Sequence, residues 1–245
     1  MKKIIRMFLL IFLTTNAAMA ARDSVKFLAV QNGGRLKPFD TFAKETLQLL
    51  HGKRSLEGRS ATDVIMTMYM VPDLWENTKF ISIKNLDLKK ELKFNEGDSF
   101  FSIKDILSSN RLQLVVEKLR AREATKEKLN PYYQAIQKIE SQVYTYQAIV
   151  GGQAFTIVPP KPGDSNQWLS VFQSSEQFVD LFSKIGSEFA MSVSSEVKDG
   201  PSKKPSAQTE VALAQKVNDF KVAARTQNPA LYPSDRDIKL EVFFN

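Results

Sequence analysis

Cysteine is absent from this sequence, which removes disulfide bracing, thiol nucleophiles and thiol redox chemistry together. A thiol-disulfide oxidoreductase is thereby excluded. Histidine occurs once, at His51, so neither a histidine-rich metal site nor a Ser-His-Asp relay with a spare ligand is expected. Long apolar runs are also missing. The one concentrated run, Met7 to Leu13, is far short of the roughly 20 residues a membrane-spanning helix needs.

That short run has a context. Lys2, Lys3 and Arg6 precede it and Ala18-Met19-Ala20 follows it, the pattern of a signal peptide (residues 1–20) cleaved near Ala20. The expected location is therefore the periplasm, with the mature chain starting near Ala21. Loss of those three cations leaves thirty-one Lys and Arg against twenty-seven Asp and Glu, and the formal charge falls from +7 to +4. Such an excess suits an anionic membrane surface or an acidic partner, and export argues against nucleic acid. With 43% hydrophobic residues the mature chain can bury a substantial core without staples.

The stretch "QNGGRLKPFDTFA" (Gln31 to Ala43) stands between an apolar strand candidate, Val25 to Val30, and apolar positions at helical spacing, Phe39, Phe42, Ala43, Leu47 and Leu50. Gly33-Gly34 supplies a turn, Pro38 pre-sets the backbone near a helix start, and Asp40 or Thr41 can satisfy the first amides. Arg35 and Lys37 then stand beside a helix amino end, which favours anions. Arg35 either serves such an anion or pairs with an acid of its own chain. Gly52 is expected to cap the helix after His51.

Further starts are written at Ser60-Ala-Thr-Asp63, Ser102-Ile-Lys-Asp105 and Asn130-Pro131, with Val71-Pro72 as a stop. Lys79 to Ile83 and Ala154 to Val158 read as strands and Asn85 to Leu92 as a short helix. Arg111 to Leu129 and Asn130 to Ile149 form a long helical hairpin whose charged first arm suits a solvated tip or a docking surface. A long helix opens at Ser175. Residues 21–197 form the main domain, Lys198 to Ser206 a linker rich in Pro, Ser and Lys, and 207–245 a helix followed by a strand in which Ile238, Leu240, Val242 and Phe244 share one face, packing back on the main domain. The fold class is α+β, mostly helical with a few short strands.

No motif supports an enzyme. Gly52-Lys53-Arg54-Ser55 fails as a phosphate loop because Arg54 replaces the hydroxyl and Leu47 the upstream glycine. Ser195-Glu-Val-Lys198 matches Ser-x-x-Lys without the motifs that accompany it in penicillin-binding enzymes. His51 could ligate haem iron as a lone axial imidazole, although its place in a last helical turn is also explained by interaction with the helix carboxyl end. Trp75 and Trp168 could stack on a flat ligand or fill a core.

Four fragments together resemble a known family: "VQNGGRLKPFDTFAKETLQLLHGK" (Val30 to Lys53), "MVPDLWENTKFISI" (Met70 to Ile83), "QAFTIVPP" (Gln153 to Pro160) and "KLEVFFN" (Lys239 to Asn245). They look like the extracytoplasmic soluble segment of large haem-handling proteins in System II c-type cytochrome biogenesis. In that family, the resemblance implies, membrane helices carry haem and a tryptophan-rich segment with flanking histidines presents it to apocytochrome cysteines. This sequence has neither part, so no haem-binding or catalytic residue carries over. The implied role is a non-enzymatic periplasmic component of cytochrome c assembly that associates with a membrane-integral haem-lyase partner, and with apocytochrome c through it. No cofactor is expected in this chain, any haem coming through the partner. Peripheral membrane association would follow from the same partner. The alternative is an exported ligand-binding or envelope scaffold module unrelated to haem.

Overall fold

A computed structural model describes residues 22–199 and 207–244. The expected signal peptide, residues 1–20, and most of the expected linker, residues 200–206, lie outside the described residues. Contacts gather the chain into two compact units: Lys44–Ala154 forms one, and the segments on either side of it form the other.

The flanking unit begins with a 3-10 helix, Arg22–Phe27, where the sequence predicted the start of a strand. Strand β1 (Ala29–Asn32) follows and pairs antiparallel with β2 (Arg35–Pro38), Asn32 opposite Arg35 and Val30 opposite Lys37. Gly33 and Gly34 connect them at φ of 60° and 75°. Two successive left-handed residues define the turn whose twist matches a two-residue hairpin, and glycine adopts them without steric cost. The stretch predicted as a turn into a helix is thus a hairpin first. Helix α1 (Phe39–His51) starts directly after β2, so Asp40 lies in its first turn and the residue before the helix is Pro38. His51 closes it and Gly52 takes φ of 86°, as its position at a helix end requires.

In the Lys44–Ala154 unit, β3 (Ser55–Leu56) and β4 (Arg59–Ser60) make a minimal hairpin leading to α2 (Ala61–Met70), whose cap is the Ser60 hydroxyl accepting from the Asp63 amide at 3.1 Å. After the short α3 (Asp73–Glu76) comes β5 (Ile81–Ser82), shorter than the predicted strand and paired with β6 (Phe100–Phe101). Helix α4 (Leu86–Leu92) is capped by Asn85, and α5 (Ile103–Leu107) by a reciprocal capping box between Ser102 and Asp105. Helices α6 (Leu112–Ala124) and α7 (Pro131–Val150) form the predicted hairpin. Asn130 caps α7, with Pro131 at its first turn.

Helix α7 is the spine of this unit, since α2, α4 and α6 all pack on it. Its inward stripe is Ile136, Ile139, Tyr146 and Ile149, interrupted by Gln142, which is only 1% exposed. The Gln142 side-chain amide donates to the carbonyls of Leu49 at 2.9 Å, Leu50 at 3.0 Å and Ser82 at 3.3 Å. Two of these belong to the last turn of α1, whose carbonyls have no partner within the helix. Trp75 stands perpendicular to Phe80 at 5.4 Å, and Phe80 meets Tyr146 of α7.

Returning to the flanking unit, Phe155–Val158 forms no strand beyond a single bridge from Val158 to Leu169. Pro159-Pro160 explains this, since proline offers no amide for a ladder. Helices α8 (Glu176–Asp199) and α9 (Ala207–Gln227) pack along each other, and α9 also covers the 3-10 helix. Lys198 and Asp199, assigned to the linker, belong to α8. A chain of rings runs through this core: Phe39 stacks on Phe155 at 5.7 Å, Phe155 meets Phe182 at 5.8 Å, and Phe220 contacts both Phe182 and Phe178.

The predicted terminal strand is a correction. Residues Asp235–Phe244 form a helix, α10, packed against β2 and the 3-10 helix. Alternation of Ile238, Leu240, Val242 and Phe244 suggested a strand, but Ser234-Asp-Arg-Asp237 is a helix start. The Ser234 hydroxyl accepts from the Asp237 amide at 3.2 Å and donates to its carboxylate at 2.6 Å. Burial of Ile238, with Glu241 and Val242 half-buried, follows the 3.6-residue period. The architecture is α+β and mostly helical, with three two-stranded antiparallel sheets among the described residues.

Gln142→Ala should destabilise the protein by about 2–3 kcal/mol, because buried carbonyls lose their donor. Gln142→Glu, of equal size but without the amide donor, should cost at least as much. Urea unfolding followed by circular dichroism measures both.

Candidate functional site

The hairpin brings the sequence-predicted cations into different surroundings. Arg35, largely exposed near the turn, reaches across to α10, its Nη2 lying 3.1 Å from Glu241 Oε1. Side chains this open to water gain little from pairing, about 0.2–1 kcal/mol. Lys37, two residues on, is buried, and its ammonium donates to the Asn32 side-chain oxygen across the hairpin at 3.2 Å. Asp40 is buried in the first turn of α1, where a carboxylate is favoured by the helix amino end. The carboxylate that Arg35 meets on α10 is thus one of its own chain.

Trp168 lies in the same unit. Its ring is buried and stacked on Tyr232 at 5.8 Å, with the Arg225 guanidinium 5.6 Å over the other aromatic. Its backbone amide donates to the Gln31 side chain at 2.8 Å. The Gln31 backbone amide in turn donates to the Thr156 carbonyl at 3.0 Å, and the Thr156 hydroxyl to the Gln31 carbonyl. Burial pushes the Tyr232 phenol from 10.0 up to about 12.

His51 and Trp75 belong to the Lys44–Ala154 unit and converge on one residue. His51 Nδ1 lies 2.9 Å from the Phe80 carbonyl, which can only accept, so Nδ1 carries the proton. Its ring is stacked on Phe100 at 4.6 Å and is 8% exposed. Phe80 offers its carbonyl to His51 and its ring to the buried Trp75. This arrangement leaves Nε2 as the nitrogen with a lone pair for any ligand. Among the described residues no three His, Asp or Glu side chains gather where they could hold a metal ion.

Three features escaped sequence reasoning. Gln142 is one, and its signal was a polar residue inside an apolar helical stripe. Glu91 is the second: burial raises its pKa, but hydrogen bonds from Lys118 and Tyr132 outweigh this and hold it below its ordinary value. Burial and the Glu91 carboxylate together push the Tyr132 phenol up. The third is a cleft of about 250 Å³ beside the first turns of α7. Lys84 and Lys138 line it with no carboxylate among its walls, and Ile83, Ala135 and Ile139 give it an apolar side. Such a lining suits a small ligand carrying a carboxylate or phosphate.

No family model matches the chain. Over 143 residues it is 26% identical to Protein NrfI of Wolinella succinogenes. The match covers 58% of this chain and 16% of that protein, so the chain spans well under two thirds of the curated relative.

Two measurements follow from this geometry. Unfolded tyrosine ionises near pH 10 and Tyr232 near 12, so the folded chain holds the proton longer; stability present below pH 10 should fall as pH rises toward 12, by about 1.4 kcal/mol per unit. Tyr232→Phe should remove that part of the alkaline loss in urea titrations at pH 9 and 11. Arg35→Ala should shift the unfolding free energy by less than about 1 kcal/mol, the range of an exposed pair.

Proposed function

We propose that this chain is a periplasmic, non-enzymatic component of c-type cytochrome biogenesis that associates with a membrane-integral haem-handling protein. The observation that carries the reading is the similarity to Protein NrfI over 143 residues, which supports a distant relationship to cytochrome c biogenesis. It accords with the resemblance borne by the fragments Val30 to Lys53, Met70 to Ile83, Gln153 to Pro160 and Lys239 to Asn245. In this chain the first two contribute the Gly33-Gly34 hairpin and the Phe80 cluster, which serve as scaffold. The working role is accordingly to hold a shaped surface against a partner, while haem is bound and transferred by that partner.

A second reading, an exported module that binds a small anionic ligand unrelated to haem, draws on the cleft between Lys84 and Lys138. The two part company in one experiment. Deleting the gene should lower the level of haem-stained c-type cytochromes, and a tagged chain should recover a haem-lyase component from detergent-solubilised membranes. Normal cytochrome levels in the deletion strain would reject the first reading. Loss of cytochromes that Lys84→Gln/Lys138→Gln fully rescues would reject any part for the cleft in that process.

A further inference from the structure

Helix α10 is amphipathic in an unusual way. Its inward side is set by Ile238, 4% exposed, with Glu241 and Val242 half-buried. At 100° per residue, Arg236, Lys239, Leu240 and Phe243 fall on one outward stripe, with Phe244 at its margin. Leu240 is 46% exposed, Phe243 81% and Phe244 78%, the two rings standing edge to face at 5.3 Å. Large apolar side chains so exposed and so close together mark an interaction surface.

Charge identifies what meets it. Two acids of α10 are paired with cations of their own chain, Asp235 with Lys221 at 2.6 Å and Arg225 at 3.0 Å and Glu241 with Arg35; Asp237, hydrogen-bonded by the Ser234 cap, keeps its charge but lies about 100° round the helix from Arg236, off the stripe. Arg236 and Lys239 form no ion pair among the described residues. The outward stripe therefore presents two cations followed by three apolar side chains, with no free acid between them. This is the pattern of a helix lying in a lipid interface, cations toward anionic headgroups and rings among the acyl chains. The rings project from a convex helix rather than lining a groove. A second copy of the same stripe would oppose cation to cation.

We propose that the outward face of α10 docks this protein on an anionic lipid bilayer, through insertion of Phe243, Phe244 and Leu240 and headgroup contacts from Arg236 and Lys239. The docking stands independently of cytochrome assembly, since it concerns lipid alone. It is tested by flotation of the protein, purified as the cell processes it, with vesicles of mixed phosphatidylglycerol and phosphatidylcholine and with vesicles of phosphatidylcholine alone. Binding should favour the anionic vesicles and weaken with salt. F243S/F244S should reduce it at least about tenfold, and R236Q/K239Q about fivefold per cation with loss of the salt dependence. Both variants change exposed side chains, so circular dichroism and thermal unfolding should match the parent. Absence of flotation, or variants that bind like the parent, would overturn the proposal. So would sedimentation velocity showing a dimer that F243S/F244S converts to monomer, which would assign the face to a second copy.

Discussion

Helix α1 ends with carbonyls that have no partner within the helix, and those of half-buried Leu49 and buried Leu50 must find donors elsewhere. One side chain meets that requirement. The Gln142 amide spans the gap from α7 to Leu49 and Leu50 and takes the Ser82 carbonyl of β5 as well. A helix end, a strand and the spine of the Lys44–Ala154 unit are thereby held in one mutual register. Much else in that unit follows from it. With Ser82 fixed, Phe80 two residues earlier is aimed so that its carbonyl meets His51 and its ring meets Trp75 and Tyr146. The histidine and the tryptophan are thus joined through Phe80 to the strand whose Ser82 carbonyl Gln142 holds.

Charge is arranged on a different principle, by occupation rather than by burial. Three of the four acids on the α6–α7 hairpin have a cation against them, Arg120 serving Glu123 and Glu140 and Arg122 serving Glu127, while Lys118 reaches across to Glu91 on α4. Individually such exposed pairs contribute little to stability. Collectively they decide which charges are left to act outward. The first arm of the helical hairpin, Arg111 to Leu129, carries six cations against three acids, so pairing leaves a net positive charge there. On α10, Asp235 and Glu241 are paired with cations of the chain while Arg236 and Lys239 have no ion pair among the described residues, which gives the outward stripe its positive sign.

Much of the fold was legible because caps are local. Ser60, Asn85, Ser102 and Asn130 each start a helix as their side chains dictate, and Gly52 ends one; these depend only on neighbours within a few residues. Failures came where a decision was made at a distance. The alternation from Ile238 to Phe244 fits a strand, but the cap at Ser234 starts a helix there and decides the matter. The segment after Ala154 has strand composition but spends its hydrogen bonds on Gln31 and Leu169. Candidate site residues were legible as types and not as environments. Lys37 and His51 are buried against partners 5 and 29 residues away, respectively, which no local pattern encodes. Gln142 was present in plain view as a flaw in an apolar stripe.

The hydrogen bonds between Gln31 and Thr156 close a very long loop. Because β1, β2 and the first residues of α1 begin the flanking unit while Phe155, α8, α9 and α10 complete it, everything from Lys44 to Ala154 must be made before Phe39 and Phe42 can meet Phe155. Synthesis runs from the amino end, so Phe39 and Phe42 emerge early and wait with their rings uncovered. The cost in loop entropy is modest, growing only with the logarithm of length, but the search is slow because the contacts are distant in sequence. For this chain the vulnerable interval lies early in its life: the Gly33-Gly34 hairpin and the start of α1 are the parts most in need of a chaperone, and the last to gain shelter from a protease.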